Sequence, residues 1–135
     1  MKILLDTHVI IWALTDDSRL SQPARDLICT SDNMILYSVA SLWELAIKKQ
    51  KAPEKCPYRE NDICRFCDQA GFIPLSIEAA HVFALRDLQI REGHFPGNQD
   101  PFDRVLIAQA KTENCTLLSH DHIFEHYDEN CIFLF

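Results

Sequence analysis

Apolar residues recur along the chain in two rhythms. Short runs such as Lys2-Ile3-Leu4-Leu5, Met34-Ile35-Leu36-Tyr37 and Thr116-Leu117-Leu118-Ser119 alternate with longer stretches whose apolar positions fall every three or four residues. The short runs predict strands buried on both faces, and the longer stretches predict amphipathic helices. In chain order the pattern predicts strands over Lys2–Asp6, Met34–Tyr37, Phe72–Leu75, Thr116–Ser119 and Cys131–Leu134. Between them it predicts helices over Val9–Leu14, Pro23–Thr30 with Ser21 or Gln22 near its cap, Val39 to about Lys51 capped by Ser38, and about 61–70. A further helix is expected from Ile77 to about Arg91, another from the DPFD stretch, and a short one over His122–Tyr127. Residues 53–60 and Glu92–Gln99, rich in proline, glycine and polar groups, read as loops. Strands that alternate with helices imply βαβ units, an α/β fold and a parallel sheet of about five strands.

A chain of 135 residues is long enough for one domain, residues 1–135, with a real core. No apolar run approaches the roughly 20 residues of a membrane span, so no membrane partner is expected. The opening MKILLDTHVIIWAL has no small-residue cleavage site and is interrupted by Asp6 and His8. It reads as a first strand and helix, and the expected location is cytoplasmic. The six cysteines are then expected to be reduced thiols. Cys64 and Cys67 form a C-x-x-C near Cys56, but a structural zinc site wants four ligands and no second C-x-x-C follows. Positions three apart simply share a helix face. The six histidines are scattered and read by default as surface or core residues.

The net charge of −7 opposes a nucleic-acid partner, whose usual footprint is basic. That inference reverses if carboxylates cluster around a cation, which then supplies local positive charge. The stretch DPFDRVLIAQA makes the question concrete. Asp100 as N-cap places Pro101 at the first helical position and Asp103 at the third, all favourable for starting a helix. Parallel sheets carry their sites at the carboxyl ends of strands. The first strand ends in Asp6, and the fourth runs through Ser119 and His120 into Asp121. Glu44 lies in the first half of the helix after the second strand, and Asp103 opens the helix before the fourth. Each has a structural alternative. Asp6 and Asp121 can be caps, and Glu44 can belong to a solvated stripe with Ser41, Lys48 and Lys51. Lys48, Lys49 and Lys51 read by default as paired, solvated lysines, with a phosphate backbone as the alternative partner. Four converging carboxylates would repel one another, and a hard divalent cation resolves that. Oxygen ligation suits magnesium or manganese rather than zinc, and the matching chemistry is phosphodiester hydrolysis.

The motifs LLDTHVIIWAL, SVASLWELAIKK, DPFDRVLIAQA and TLLSHDHIFEHY, in this order and spacing, resemble a PIN-domain ribonuclease, most closely a VapC-type toxin of a toxin–antitoxin system. The resemblance implies a three-layer α/β/α fold and Mg2+- or Mn2+-dependent cleavage of RNA. It implies that Asp6, Glu44, Asp103 and Asp121 hold the metal, while Asp100 starts the helix. Thr7, beside the first acid, and Ser119, where the family usually has Thr or Ser, are implied as site support. Arg104 is a candidate phosphate contact or a surface salt bridge. A homodimer and a cognate antitoxin are the implied protein partners. Two stretches depart from the pattern: HFPGNQ before Asp100 makes a longer loop, and PEKCPYRENDICRFC is unlike the usual middle helix.

Three other functions compete. A haloacid-dehalogenase-like phosphohydrolase would use Asp6 as nucleophile, but its motif wants Asp two residues later, where this chain has His8. Hydrolysis of the HD type through His120-Asp121 lacks a pattern of partner histidines. A non-catalytic PIN-like module that binds RNA or a partner would not need all four acids.

Overall fold

The computed structural model describes residues 1–93 and 99–135, so most of the loop expected over Glu92–Gln99 lies outside the described residues. The elements in order are β1 (Lys2–Leu5), α1 (Thr7–Thr15), α2 (Gln22–Cys29), β2 (Met34–Ser38), α3 (Val39–Lys51) and α4 (Glu60–Gln69). They continue with β3 (Ile73–Leu75), α5 (Ala79–Ala84), a 3-10 turn (Leu85–Asp87), α6 (Pro101–Glu113), β4 (Thr116–Ser119), a second 3-10 turn (His122–His126) and β5 (Ile132–Leu134). Among the described residues the strands form one sheet in the order β3-β2-β1-β4-β5. All four pairings are parallel, with Leu5 beside both Tyr37 and Leu118.

Successive side chains of a strand point to opposite faces, and here that alternation divides the interior. Ile3, Leu5, Ile35, Tyr37 and Leu118 enter one core, with Val9, Ile10 and Trp12 of α1, Leu45 of α3, and Ile63 and Cys67 of α4. Leu4, Leu36 and Leu117 enter the other, with Leu106, Ile107 and Ala110 of α6, Leu88, Phe124 and Tyr127. Burying each large aliphatic side chain contributes roughly 1.5–3 kcal/mol, so both faces of the sheet are anchored. The result is the expected three-layer α/β/α arrangement, with a helical layer on each face of a parallel sheet.

Side-chain caps start the main helices. Ser21 and Ser38 accept from the backbone N–H groups of Ala24 and Ala40. Asp100 caps α6 by accepting from Phe102 and Asp103 N–H at 2.8 and 3.3 Å. Asn114 closes α6 in the left-handed conformation (φ 55°), which turns the chain toward β4.

Most boundaries shift by one or two residues, and the largest departure from the sequence pattern is at α5. The helix expected from Ile77 to about Arg91 begins at Ala79, changes to a 3-10 turn at Leu85 and stops at Asp87. Its backbone groups bond elsewhere: Arg91 N–H donates to His126 O (2.8 Å), and Asp128 N–H donates to Gln89 O (2.8 Å). Buried Leu88 and a single antiparallel bridge between Ile90 and Tyr127 tie this segment to the turn after β4. Tertiary pairing overrides helix propensity there. Strand β3 is also one residue shorter than expected, and its Pro74 sits on an edge strand, where a missing N–H is tolerated.

Candidate active site

The sheet changes direction between β1 and β4. From β1 the chain steps outward through β2 to β3, and from β4 it steps the other way to β5. In open α/β sheets the crevice at the carboxyl ends beside such a switch point is where ligands bind. Asp6 leaves β1 there, and Asp121 lies two residues beyond the end of β4. The Asp6 N–H donates to Leu118 O (3.0 Å), extending the β1–β4 ladder, and Ser119 Oγ donates to Asp6 Oδ2 (2.6 Å). The same Ser119 Oγ accepts from Asp121 N–H (3.1 Å). One buried serine therefore links the two acids across neighbouring strands.

Both acids also serve as caps. Asp6 Oδ1 accepts from Thr7 N–H (2.7 Å) at the start of α1, and Asp121 Oδ1 accepts from Ile123 N–H (3.0 Å) at the second 3-10 turn. The capping and site readings coexist, because helix N-termini that open at this edge stabilise negative charge.

Glu44 arrives from α3. Its Oε1 accepts from the Thr7 hydroxyl (2.7 Å), which shares a further hydrogen bond with Ser41 Oγ (2.8 Å). Its Oε2 pairs with Lys48 Nζ at 2.9 Å. The stripe of Ser41, Glu44, Lys48 and Lys51 is thus not wholly solvated: Ser41 is buried and the Glu44 side chain is only 13% exposed. The sequence places Ser41 only in that solvated stripe and not among the site residues, whereas the structure buries it beside Thr7. Its position three before Glu44 on one helix face was the available signal.

Asp103 is on the third residue of α6, and its carboxylate accepts no hydrogen bond among the described residues. Burial, then the charges of Asp6, Asp100, Asp121 and Glu44, push its pKa from the ordinary 3.8 up to about 8. That shift places all four acids, with Asp100, in one electrostatic neighbourhood. Asp6, 5% exposed, is also raised, chiefly by burial, against the lowering effect of Ser119 and Thr7. Burial works against the charge of Lys48, yet its bond to Glu44 and the fields of Asp6 and Asp100 keep its pKa above the usual value. Asp100, expected only to start the helix, therefore also adds charge to the site.

The remaining candidates fall at different places. Thr7 and Ser119 are inside the hydrogen-bonded group, both buried. Arg104 donates to Leu85 O (2.9 Å), and it shares no bond or ion pair with the four acids among the described residues. A hollow of about 220 Å³ opens beside Asp6 and Asp121, walled by His8, Trp12 and His120. Cys67 is buried and its thiol is pushed up to about 12, mainly by burial, and the cysteines are free. Among the described residues no three His, Cys, Asp or Glu side chains are disposed to grip a metal ion as they stand. The oxygens of Asp6, Glu44 and Asp121 are held by Thr7, Ser119, Lys48 and backbone N–H groups. The donor set is nonetheless all hard oxygen, and its surplus negative charge suits magnesium or manganese.

No helix among the described residues is long and apolar enough to cross a membrane. A family model described as PIN domain matches residues 3–130. A chain of VapBC2 from Rickettsia felis, solved with a DNA fragment from its promoter, superposes with a TM-score of 0.65 at 18% identity, covering 100% of this chain and 98% of that one. A chain of DNA-bound VapBC from Salmonella typhimurium superposes with a TM-score of 0.65 at 14% identity, covering 98% and 97%. No curated protein matches the sequence.

Proposed function

The chain belongs to the PIN-domain family, and on that premise we propose that it is a metal-dependent endoribonuclease acting as the toxin of a toxin–antitoxin pair. Asp6, Glu44, Asp103 and Asp121 hold Mg2+ or Mn2+ in this proposal. A cation bound there activates water and neutralises charge on the phosphate. The observation that carries the proposal is Asp103, an unpartnered carboxylate pushed up to about 8 in a field of other acids. Such repulsion costs stability unless a cation or a proton relieves it.

The chain's own residues do the positioning. Ser119 and Thr7 N–H fix both oxygens of Asp6. The Thr7 hydroxyl aims Glu44 from one side, and Lys48 pairs with its other oxygen at 2.9 Å. The fold shared with the two VapBC chains supports a cognate antitoxin as partner. Exposed Trp43, Val82 and Phe83 supply apolar side chains for a homodimer.

The test is cleavage of a mixed RNA pool with magnesium, with manganese and with EDTA, comparing wild type, Asp103→Asn and Asp100→Asn. Metal-dependent cutting is expected in wild type and in Asp100→Asn. In Asp103→Asn it is expected to fall by more than about 100-fold, the upper end for losing even an outer-shell partner. Folded wild-type protein that cuts nothing with either metal would leave a non-catalytic binding module in place of the nuclease.

A further inference from the structure

A second concave feature lies beside the acids, and the proposed hydrolysis makes no use of it. A groove of about 590 Å³ runs between α1, the second half of α3 and residues 52–58. This volume is in the range of roughly 300–1,000 Å³ typical of ligand sites. Its floor is apolar, from Ile11, Trp12 and Leu45, and half-buried Tyr58 stands at its wall. Arg19 lies over the Trp12 ring at 4.9 Å and pins it.

The charges around the groove are one-sided. Its lining carries Arg19, Lys48, Lys51 and Lys55 against the single carboxylate of Asp17. This concentration occurs in a chain whose net charge is −7. Arg19 is paired with Asp17 (2.7 Å) and Lys48 with Glu44 (2.9 Å). The ammonium groups of Lys51 and Lys55 have no ion pair or hydrogen bond among the described residues. The wall that carries Lys55 and Tyr58 is fastened to α3, because Lys49 Nζ donates to Cys56 O (2.9 Å) and Lys55 N–H donates to Ala52 O (3.0 Å). Lys49 therefore holds the groove together rather than facing solvent as a paired surface lysine.

The near end of the groove is continuous with the acids. Thr7 and Lys48 line it, and both bond to Glu44. An apolar slot with an aromatic wall, two unpaired lysines and one end on a phosphodiester-cleaving centre matches the chemistry of a single nucleotide. Bases stack on aromatic rings only when they are unpaired, and lysines meet the backbone phosphates. We propose that this groove seats one unpaired nucleotide of the RNA beside the scissile bond, its base against Tyr58 and the Trp12 floor and its phosphate on Lys51 and Lys55. The substrate class rests on the ribonuclease proposal; the groove adds the place of one nucleotide within it.

The test measures binding of fluorescein-labelled RNA heptamers to the Asp103→Asn protein in magnesium, so that RNA is held rather than cut. A parallel series of heptamers carries one abasic site moved along the strand. Lys51→Ala/Lys55→Ala is expected to weaken binding about tenfold and to flatten the log–log salt slope by about 1.4, two contacts at roughly 0.7 each for single strands. Tyr58→Leu is expected to weaken binding about fivefold or more. Loss of the base at one position, and not at the others, is expected to reproduce the Tyr58→Leu defect. Both lysines are exposed, so the charge variant keeps its fold, which circular dichroism checks. Unchanged affinity and salt slope in the charge variant, or an equal loss at every abasic position, overturns the proposal. Retained RNA affinity alongside lost binding of the cognate antitoxin gives the groove to a protein and overturns it too. If wild type cuts the RNA pool and the groove variants bind and cut like it, only the groove assignment fails. If wild type neither binds nor cuts, the ribonuclease proposal fails with it.

Discussion

Ser119 shows how much depends on one small hydroxyl. It is fully buried, donates to Asp6 Oδ2 and accepts from the N–H of Asp121. Ser119→Ala removes the donor and leaves a buried carboxylate one hydrogen bond short. Hydrogen bonds to charged groups contribute about 1.5–3 kcal/mol, and a stability loss of that size is expected in urea denaturation. Without the donor the Asp6 pKa rises further, so Mn2+ affinity, followed by isothermal titration, should fall as well. Asp103 gives a second prediction, and its sign follows from the direction of its shift. Folding raises its pKa from 3.8 to about 8, so the folded chain holds a proton that the unfolded chain has already released. The stability tied to that proton is fully present below 3.8 and is lost as pH rises through about 8. The melting temperature in EDTA should therefore decline across that window, and Asp103→Asn should flatten the decline.

Helix α6 separates two roles that one stretch of sequence had merged. Asp100 accepts from two N–H groups at its start, while Asp103 one turn on stays unpartnered. Asp100→Ala should cost about 1 kcal/mol by urea denaturation, and Asp100→Asn much less, since Asn caps nearly as well. The cap was legible from DPFD alone, because the capping preference and the first-turn proline are local chemistry. The field that Asp100 adds to Asp103 was not legible, because it depends on burial created by the rest of the fold. The same divide appears elsewhere. β1, β2 and β4 stood out as apolar runs, and Ser38 marked the start of α3 correctly. The early end of α5 had no local sign. Apolar spacing continues past Asp87, but the backbone there is claimed by Tyr127 and its neighbours, far along the chain. Thr7 was legible by its place beside Asp6, whereas its bond to Glu44 required α1 and α3 to be packed together.

The fold as one body sets five carboxylates, Asp6, Glu44, Asp100, Asp103 and Asp121, around a single edge of the sheet and keeps a run of cations along the adjoining groove. A divalent ion that binds the folded chain and not the unfolded one adds stability by mass action. It also replaces the proton on Asp103, so the gain should be larger at pH 8 than at pH 5. Differential scanning calorimetry in EDTA and in saturating Mg2+ or Mn2+ measures both values. An equal gain at the two pH values would argue that the ion binds away from the acids.

Three of the aspartates at this edge, Asp6, Asp100 and Asp121, are also the first rungs of helical turns. That double duty has a genetic consequence. Alanine at these positions damages folding and charge together, whereas asparagine keeps the rung and removes only the charge. Either aspartate codon becomes an asparagine codon by one G-to-A transition. On the proposed function, a lineage that needs this protein silent but still folded is thus a single common base change away at Asp6 and at Asp121, while the same change at Asp100 keeps the rung and leaves the metal-holding acids in place.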